Sequence, residues 1–169
     1  MKKFIIVLVA ALTVNLAQAA YLYWQIDTDD YKDDVEVSTP AYARVVAVDG
    51  EGKTTALGIA GGDGSTIINV DSGRAVVSLD TLTDPSAYSF FIEVLNFNSA
   101  SGSFDAVAKS ASETYATLQQ QNFIDVGEVM QLPPVEVWHG GSFSAVPEPT
   151  GGLLVMFGLG LLALKRKRV

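Results

Sequence analysis

Apolar and polar residues alternate in short runs along most of this chain, and the alternation has a period of two. The clearest run is Ala87 to Phe97, where Tyr88, Phe90, Ile92, Val94 and Asn96 fall on one face and Phe91, Glu93, Leu95 and Phe97 on the other. That pattern predicts a β-strand with a buried face. Ala41 to Val48 and Ala75 to Leu82 read the same way, and Tyr21 to Ile26 is aromatic and β-branched enough for a first strand. Shorter strands are expected at Thr54 to Ile59, Thr66 to Val70 and Ser103 to Lys109. Asp49-Gly50-Glu51-Gly52-Lys53, Gly61-Gly62-Asp63-Gly64-Ser65, Asp71-Ser72-Gly73-Arg74, Asp84-Pro85 and Asn98 to Gly102 supply the turns between them. One segment changes period: Ser112 to Gln121 is built of helix formers, with Ser112 placed to cap it and Tyr115 and Leu118 on one face. A last extended segment, Val135 to Trp138, follows the Pro133-Pro134 break and precedes Gly140-Gly141. Many short strands with one helix predict an all-β domain, an antiparallel β-sandwich of jelly-roll or Ig-like type. A partly open barrel fits the same pattern.

The two ends follow other rules. Met1-Lys2-Lys3 precedes an uncharged apolar run from Phe4 to Leu16 and then Ala17-Gln18-Ala19, the order of charge, apolar core and small residues that marks a secretory signal. Signal peptidase is expected to cut between Ala19 and Ala20, with Ala17 and Ala19 as the small residues it reads. The 13-residue run is too short to remain as a membrane span, which needs about 20 residues. At the other end, Pro147-Glu148-Pro149 is followed by an uncharged stretch from Thr150 to Leu164 and then by Lys165-Arg166-Lys167-Arg168. The prolines fix φ and remove two backbone donors, so the triplet stays extended and open to a processing enzyme. As a helix the 15 apolar residues span about 22 Å, short of a hydrocarbon core of about 30 Å, which suits a transient membrane stop. The basic cluster holds the C-terminus on the cytoplasmic side, and the body between the two ends is outside.

This tail resembles the PEP-CTERM sorting signal of Gram-negative bacteria, and Val146-Pro147-Glu148-Pro149-Thr150 carries the resemblance in the right order and distance from the C-terminus. It covers about the last 24 residues. The resemblance implies recognition by an exosortase, transient anchoring in the inner membrane through the C-terminal helix, and deposition at the cell surface or in extracellular polysaccharide. A Gram-positive sortase tail would need Leu-Pro-x-Thr-Gly, whereas Thr150-Gly151 follows Pro149 directly. The expected organisation is a signal peptide over 1–19, an exported domain over 20–141, a linker with the motif over 142–149, a sorting helix over 150–164 and a basic tail over 165–169.

Charge narrows the partners of the exported part. Residues 20–146 hold 18 Asp and Glu against five Lys and Arg, a net charge of about −13. Nucleic acid and anionic lipid are repelled by such a body, which leaves cations and neutral or basic sugars. The chain has no cysteine, so thiol catalysis, Cys-ligated zinc and disulfides are excluded.

Candidate chemistry is sparse, and no catalytic residue is expected. Asp27, Asp29, Asp30, Asp33 and Asp34 put five carboxylates in eight positions, a possible Ca²⁺ ligand set, though without the glycine and closing Glu of an EF-hand. A solvated acidic loop is the plainer reading. His139, the single histidine, cannot form a multi-histidine zinc site, and no Gly-x-Ser-x-Gly elbow accompanies it. Tyr21, Tyr23 and Trp24 could stack on a sugar, against the alternative that at least two pack in the core. The leading expectation is a non-enzymatic surface or matrix protein without a cofactor, and the alternative is a carbohydrate-binding module.

Overall fold

We describe the chain from a computed structural model over residues 19–37, 41–60, 65–127 and 136–146. The expected features at Ala17, Gly61 to Gly64, Pro133-Pro134, Pro147 to Pro149, Thr150 to Leu164 and Lys165 to Arg168 lie outside the described residues. Among those described, no helix is long and apolar enough to cross a membrane.

Among the described residues ten strands form: β1 Ala20–Trp24, β2 Ala41–Val48, β3 Thr54–Ala56, β4 Ile68–Asn69, β5 Ala75–Ser78, β6 Ser89–Asn98, β7 Ser103–Ser110, β8 Glu113–Thr114, β9 Ile124–Val126 and β10 Phe143–Ala145. A six-residue helix, α1, covers Tyr115–Gln120, and 3₁₀ turns cover Thr28–Asp30 and Pro85–Ala87. The strands make two antiparallel sheets, a small one in the order β5-β1-β9 and a larger one in the order β10-β7-β6-β2-β3, with β4 paired to β2 and β8 to β6. The all-β, antiparallel expectation with one short helix is therefore met.

Alternation explains the core. β2 and β6 pair over eight residues, from Ala41 opposite Asn96 to Val48 opposite Ser89. This register brings Ala43, Val45 and Ala47 of β2 beside Val94, Ile92 and Phe90 of β6 on the inner face, all fully buried. Leu22 and Trp24 of β1 and Val77 of β5 meet them from the small sheet in one apolar cluster. On the outer face of the same ladder Arg44 and Glu93 form an ion pair at 2.7 Å. Beyond it, β6 and β7 change register between Val94 and Leu95: Val94 lies opposite Ala108 and Leu95 opposite Ala106, so Val107 is the extra residue of a bulge.

Several expected elements shift, each for a tertiary reason. The run Thr54 to Ile59 does not stay in one sheet. Leu57 still donates its N–H to Val45, but Ala60 donates to Val76 and Gly58 accepts from Ser78, so the chain crosses from the large sheet to the small one with Leu57 buried at the corner. β5 stops at Ser78, because Leu82 turns back to bond the Leu79 carbonyl and both leucines enter the core. The helix is capped by Thr114, whose hydroxyl accepts from the Thr117 N–H at 3.2 Å, in place of Ser112. The two residues before the helix pair with β6 as β8, which moves the start of the helix downstream.

The C-terminal boundary also moves. Phe143–Ala145, expected in a linker, is strand β10 on the edge of β7, and Phe143 is a core residue. The backbone N–H of Val146 still bonds the Val107 carbonyl at 2.9 Å, so the folded body runs through residue 146 and not 141. Gly140 makes this return possible. It sits at φ +84°, and a Cβ there would lie 2.9 Å from Cβ of Ser110, with Phe143 and Ile92 at 3.1 and 3.2 Å. Gly140→Ala should therefore lower stability by about 2–4 kcal/mol in urea unfolding. Gly50→Ala, which faces open space, should stay within about 0.5 kcal/mol of the parent.

Candidate functional site

The acidic segment after β1 is ordered by its own carboxylates. Oδ2 of Asp30 accepts from the Asp27 N–H at 2.8 Å, while Gln25 donates its amide to Oδ2 of Asp27 at 2.8 Å. Together these hold the 3₁₀ turn Thr28–Asp30 against the end of β1. Asp71, at φ +64°, braces the turn from outside, accepting from the N–H and the hydroxyl of Thr28 at 2.7 and 2.8 Å.

His139 then enters from 109 positions away. Its Nδ1 lies 3.1 Å from Oδ2 of Asp30, and the residue is partly exposed, with 44% of the side chain accessible. It arrives there because the Trp138 N–H bonds the Tyr23 carbonyl and the Trp138 carbonyl accepts from Gln25, forming a short parallel bridge beside Trp24. Asp27, Asp30 and His139 consequently offer three donor atoms within 4.8 Å of one another, a group that could hold a metal ion.

The five aspartates do not converge. Asp29 pairs with Lys32, raising the ammonium pKa through the side-chain hydrogen bond and the carboxylate charge. Asp34 faces the C-terminal return, where its Oδ2 accepts the Phe143 N–H at 3.0 Å, and Asp33 is exposed. Two oxygens and one imidazole nitrogen fit poorly to Ca²⁺, which takes six to eight oxygen ligands; nitrogen donors suit transition metals better. Between these contacts the Tyr31 ring packs edge-on against Phe143 at 5.9 Å. Burial raises its hydroxyl pKa; the Thr28 hydrogen bond opposes this, and the charges of Asp71 and Asp30 add to it.

Tyr23 and Trp24 occupy the interior, the core-packing alternative for two of the three rings, so Tyr21, Tyr23 and Trp24 do not form a platform. Trp24 is fully buried and Tyr23 only 3% exposed, so neither ring face is free to stack; Tyr21 is half-buried. Burial, with the charge of Asp125 and the neighbouring Tyr21, raises the Tyr23 pKa.

Accessible aromatics lie instead on the large sheet. Phe97 is 50% and Phe104 36% exposed. The Phe104 ring sits 4.9 Å from Tyr42 and 5.2 Å from Phe97. Tyr42 and Phe104 stand on strands either side of β6, so their rings meet above it, and Leu95 beneath is fully buried.

Beside Phe104 opens a groove of about 900 Å³ between the segment at Val35 and Glu36 and the ends of β6, β7 and β10. Asn96, Asn98 and Asp105 line it. Asn98 donates its amide to Oδ2 of Asp105 at 2.9 Å, which fixes both side chains. The Asn96 side-chain oxygen is buried and has no partner among the described residues. Nothing local in the sequence marks this grouping, since a strand pairing and a bulge create it.

No protein-family model, curated protein or solved structure matches this chain.

Removing the Asp30 carboxylate should loosen both the turn and the His139 segment: Asp30→Ala is expected to cost about 1–2 kcal/mol in urea unfolding. Millimolar Ca²⁺ after chelation should move the melting temperature of the parent by less than about 1 °C, because the oxygen cage that Ca²⁺ requires is not assembled.

Proposed function

We propose that this chain is an exported, non-enzymatic surface or extracellular-matrix protein, cut by signal peptidase at its N-terminus and sorted by an exosortase through a PEP-CTERM tail. The observation that carries the reading is the residue order of the tail: Pro147-Glu148-Pro149, 15 uncharged residues, then Lys165-Arg166-Lys167-Arg168. Two bonded positions of the folded body support it. β1 starts at Ala20, next to the expected cleavage point, and Val146, whose N–H bonds the Val107 carbonyl, directly precedes the motif. On this reading the body is an antiparallel β-sandwich of jelly-roll or Ig-like type, standing outside the inner membrane until its tail is processed.

Changing Pro147, Glu148 and Pro149 to alanine in a host that carries an exosortase tests the sorting step. The expected result is a larger species retained in the membrane fraction; unaltered size and location would overturn the proposal.

The groove favours a second reading, a carbohydrate-binding module. Amide and carboxylate side chains that hydrogen-bond hydroxyl groups line the groove, and on the opposite face of the same two strands the Phe104 ring, partly exposed, is able to stack on a sugar. The acidic body selects against polyanionic glycans and for neutral or basic ones. Binding on a glycan array should fall about tenfold in Phe104→Ala, whose ring is partly exposed and whose loss should leave the core intact. Silence of the parent across neutral and basic glycans counts against this role.

A further inference from the structure

The strand that processing would expose as a new amino terminus is already built to receive one. Ala20 is the first residue of β1 and only 6% exposed. Its carbonyl accepts the Leu79 N–H at 2.8 Å, and Leu79 lies across the ladder on the β5 side. In an antiparallel pair the Ala20 N–H would return to the Leu79 carbonyl. That carbonyl is taken by the Leu82 N–H at 3.0 Å, and the Asp80 carboxylate stands in, with Oδ1 3.3 Å from the Ala20 nitrogen. Asp80 is exposed and held by its own turn, where its N–H bonds the Ser78 hydroxyl at 3.2 Å.

We infer that Asp80 is the binding site for the α-ammonium of Ala20 released by signal peptidase. The inference rests on the export reading above. Hydrolysis adds water across the Ala19–Ala20 bond: Ala19 departs with the new carboxylate, and Ala20 keeps the nitrogen, which takes up a proton. A neutral amide facing a carboxylate becomes an ammonium facing a carboxylate, and the hydrogen bond becomes charge-assisted. Cleavage also removes the Ala19 carbonyl that accepts the Gly127 N–H at 2.9 Å, so the ammonium contact offsets a backbone bond lost on the β9 side.

The same geometry sets the order of events. In the folded chain Ala19 and Ala20 are paired on both sides, to Gly127, Val126, Leu79 and Asp80. A peptidase that takes its substrate as an extended strand cannot engage a bond already held in a sheet. Cleavage therefore comes before β1 is closed into the sheet, and docking of Ala20 on Asp80 comes after.

The test uses processed protein isolated from the envelope of a bacterium that expresses the full chain. Mass spectrometry first locates the amino terminus; any start other than Ala20 overturns this inference together with the cleavage site it rests on. With Ala20 confirmed, the α-amino group is selectively acetylated and the melting temperature compared with that of untreated protein. Acetylation should lower it by about 2–5 °C in the parent and leave Asp80→Asn unchanged, the coupling expected of a direct pair. If Asp80→Asn does not accumulate, Asp80→Ser serves, since it keeps an oxygen without the charge. No shift on acetylating the parent, or an equal shift in parent and variant, would overturn the role of Asp80 while leaving export intact.

Discussion

The fold depends on the burial of β1 between two neighbours. β5 pairs along one edge of this strand and β9 along the other, and its Leu22 and Trp24 side chains are fully enclosed. Without β1 the small sheet has no middle and the inner face of β2 and β6 has nothing to pack against. Trp24 carries much of this burden, because an indole buries more apolar surface than any other side chain at a single position. Its Nε1, like the Tyr23 hydroxyl, has no partner among the described residues, so packing against the core outweighs one unmet hydrogen bond.

A chain without cysteine must close its ends by other means. Here carboxylates do it. Asp30 reaches His139, Asp34 reaches the Phe143 N–H and Asp71 clasps Thr28, so an acidic loop becomes the fastening between the first strand and the last. These contacts sit at partly exposed positions, where each contributes modestly and several together define a geometry. They also explain why five neighbouring aspartates do not form one cation cage: Asp29, Asp30 and Asp34 reach different partners, and Asp33 faces solvent.

The body and the ends thus divide the work. On the proposed reading the apolar and basic ends carry routing information, read by membrane thickness and charge. The body supplies a packed core, with a polar groove and a ring cluster on its large sheet. Among the described residues, backbone pairing reaches the Ala19 carbonyl at one end and the Val146 N–H at the other. Under the proposed export route, processing at either end acts on residues adjoining the sheets, which would tie maturation to folding.

Local pattern determined much of this protein. Strands β2, β6 and β7, their inner and outer faces, and the all-β class follow from period-two alternation, because a buried face imposes that period wherever a sheet covers a core. The compositional blocks at both ends are equally local. What the sequence did not carry depends on residues far apart in the chain. β10 reads as linker because FSA is too short to alternate, and it becomes a strand only when β7 offers a free edge. Trp24 reads as a surface ring or a core ring until the second sheet covers it. His139 meets Asp30 across 109 positions, and Asn96, Asn98 and Asp105 line one groove only after β6 and β7 pair. Pairing register and sheet closure are cooperative properties of the whole chain, so only the tertiary structure could decide them.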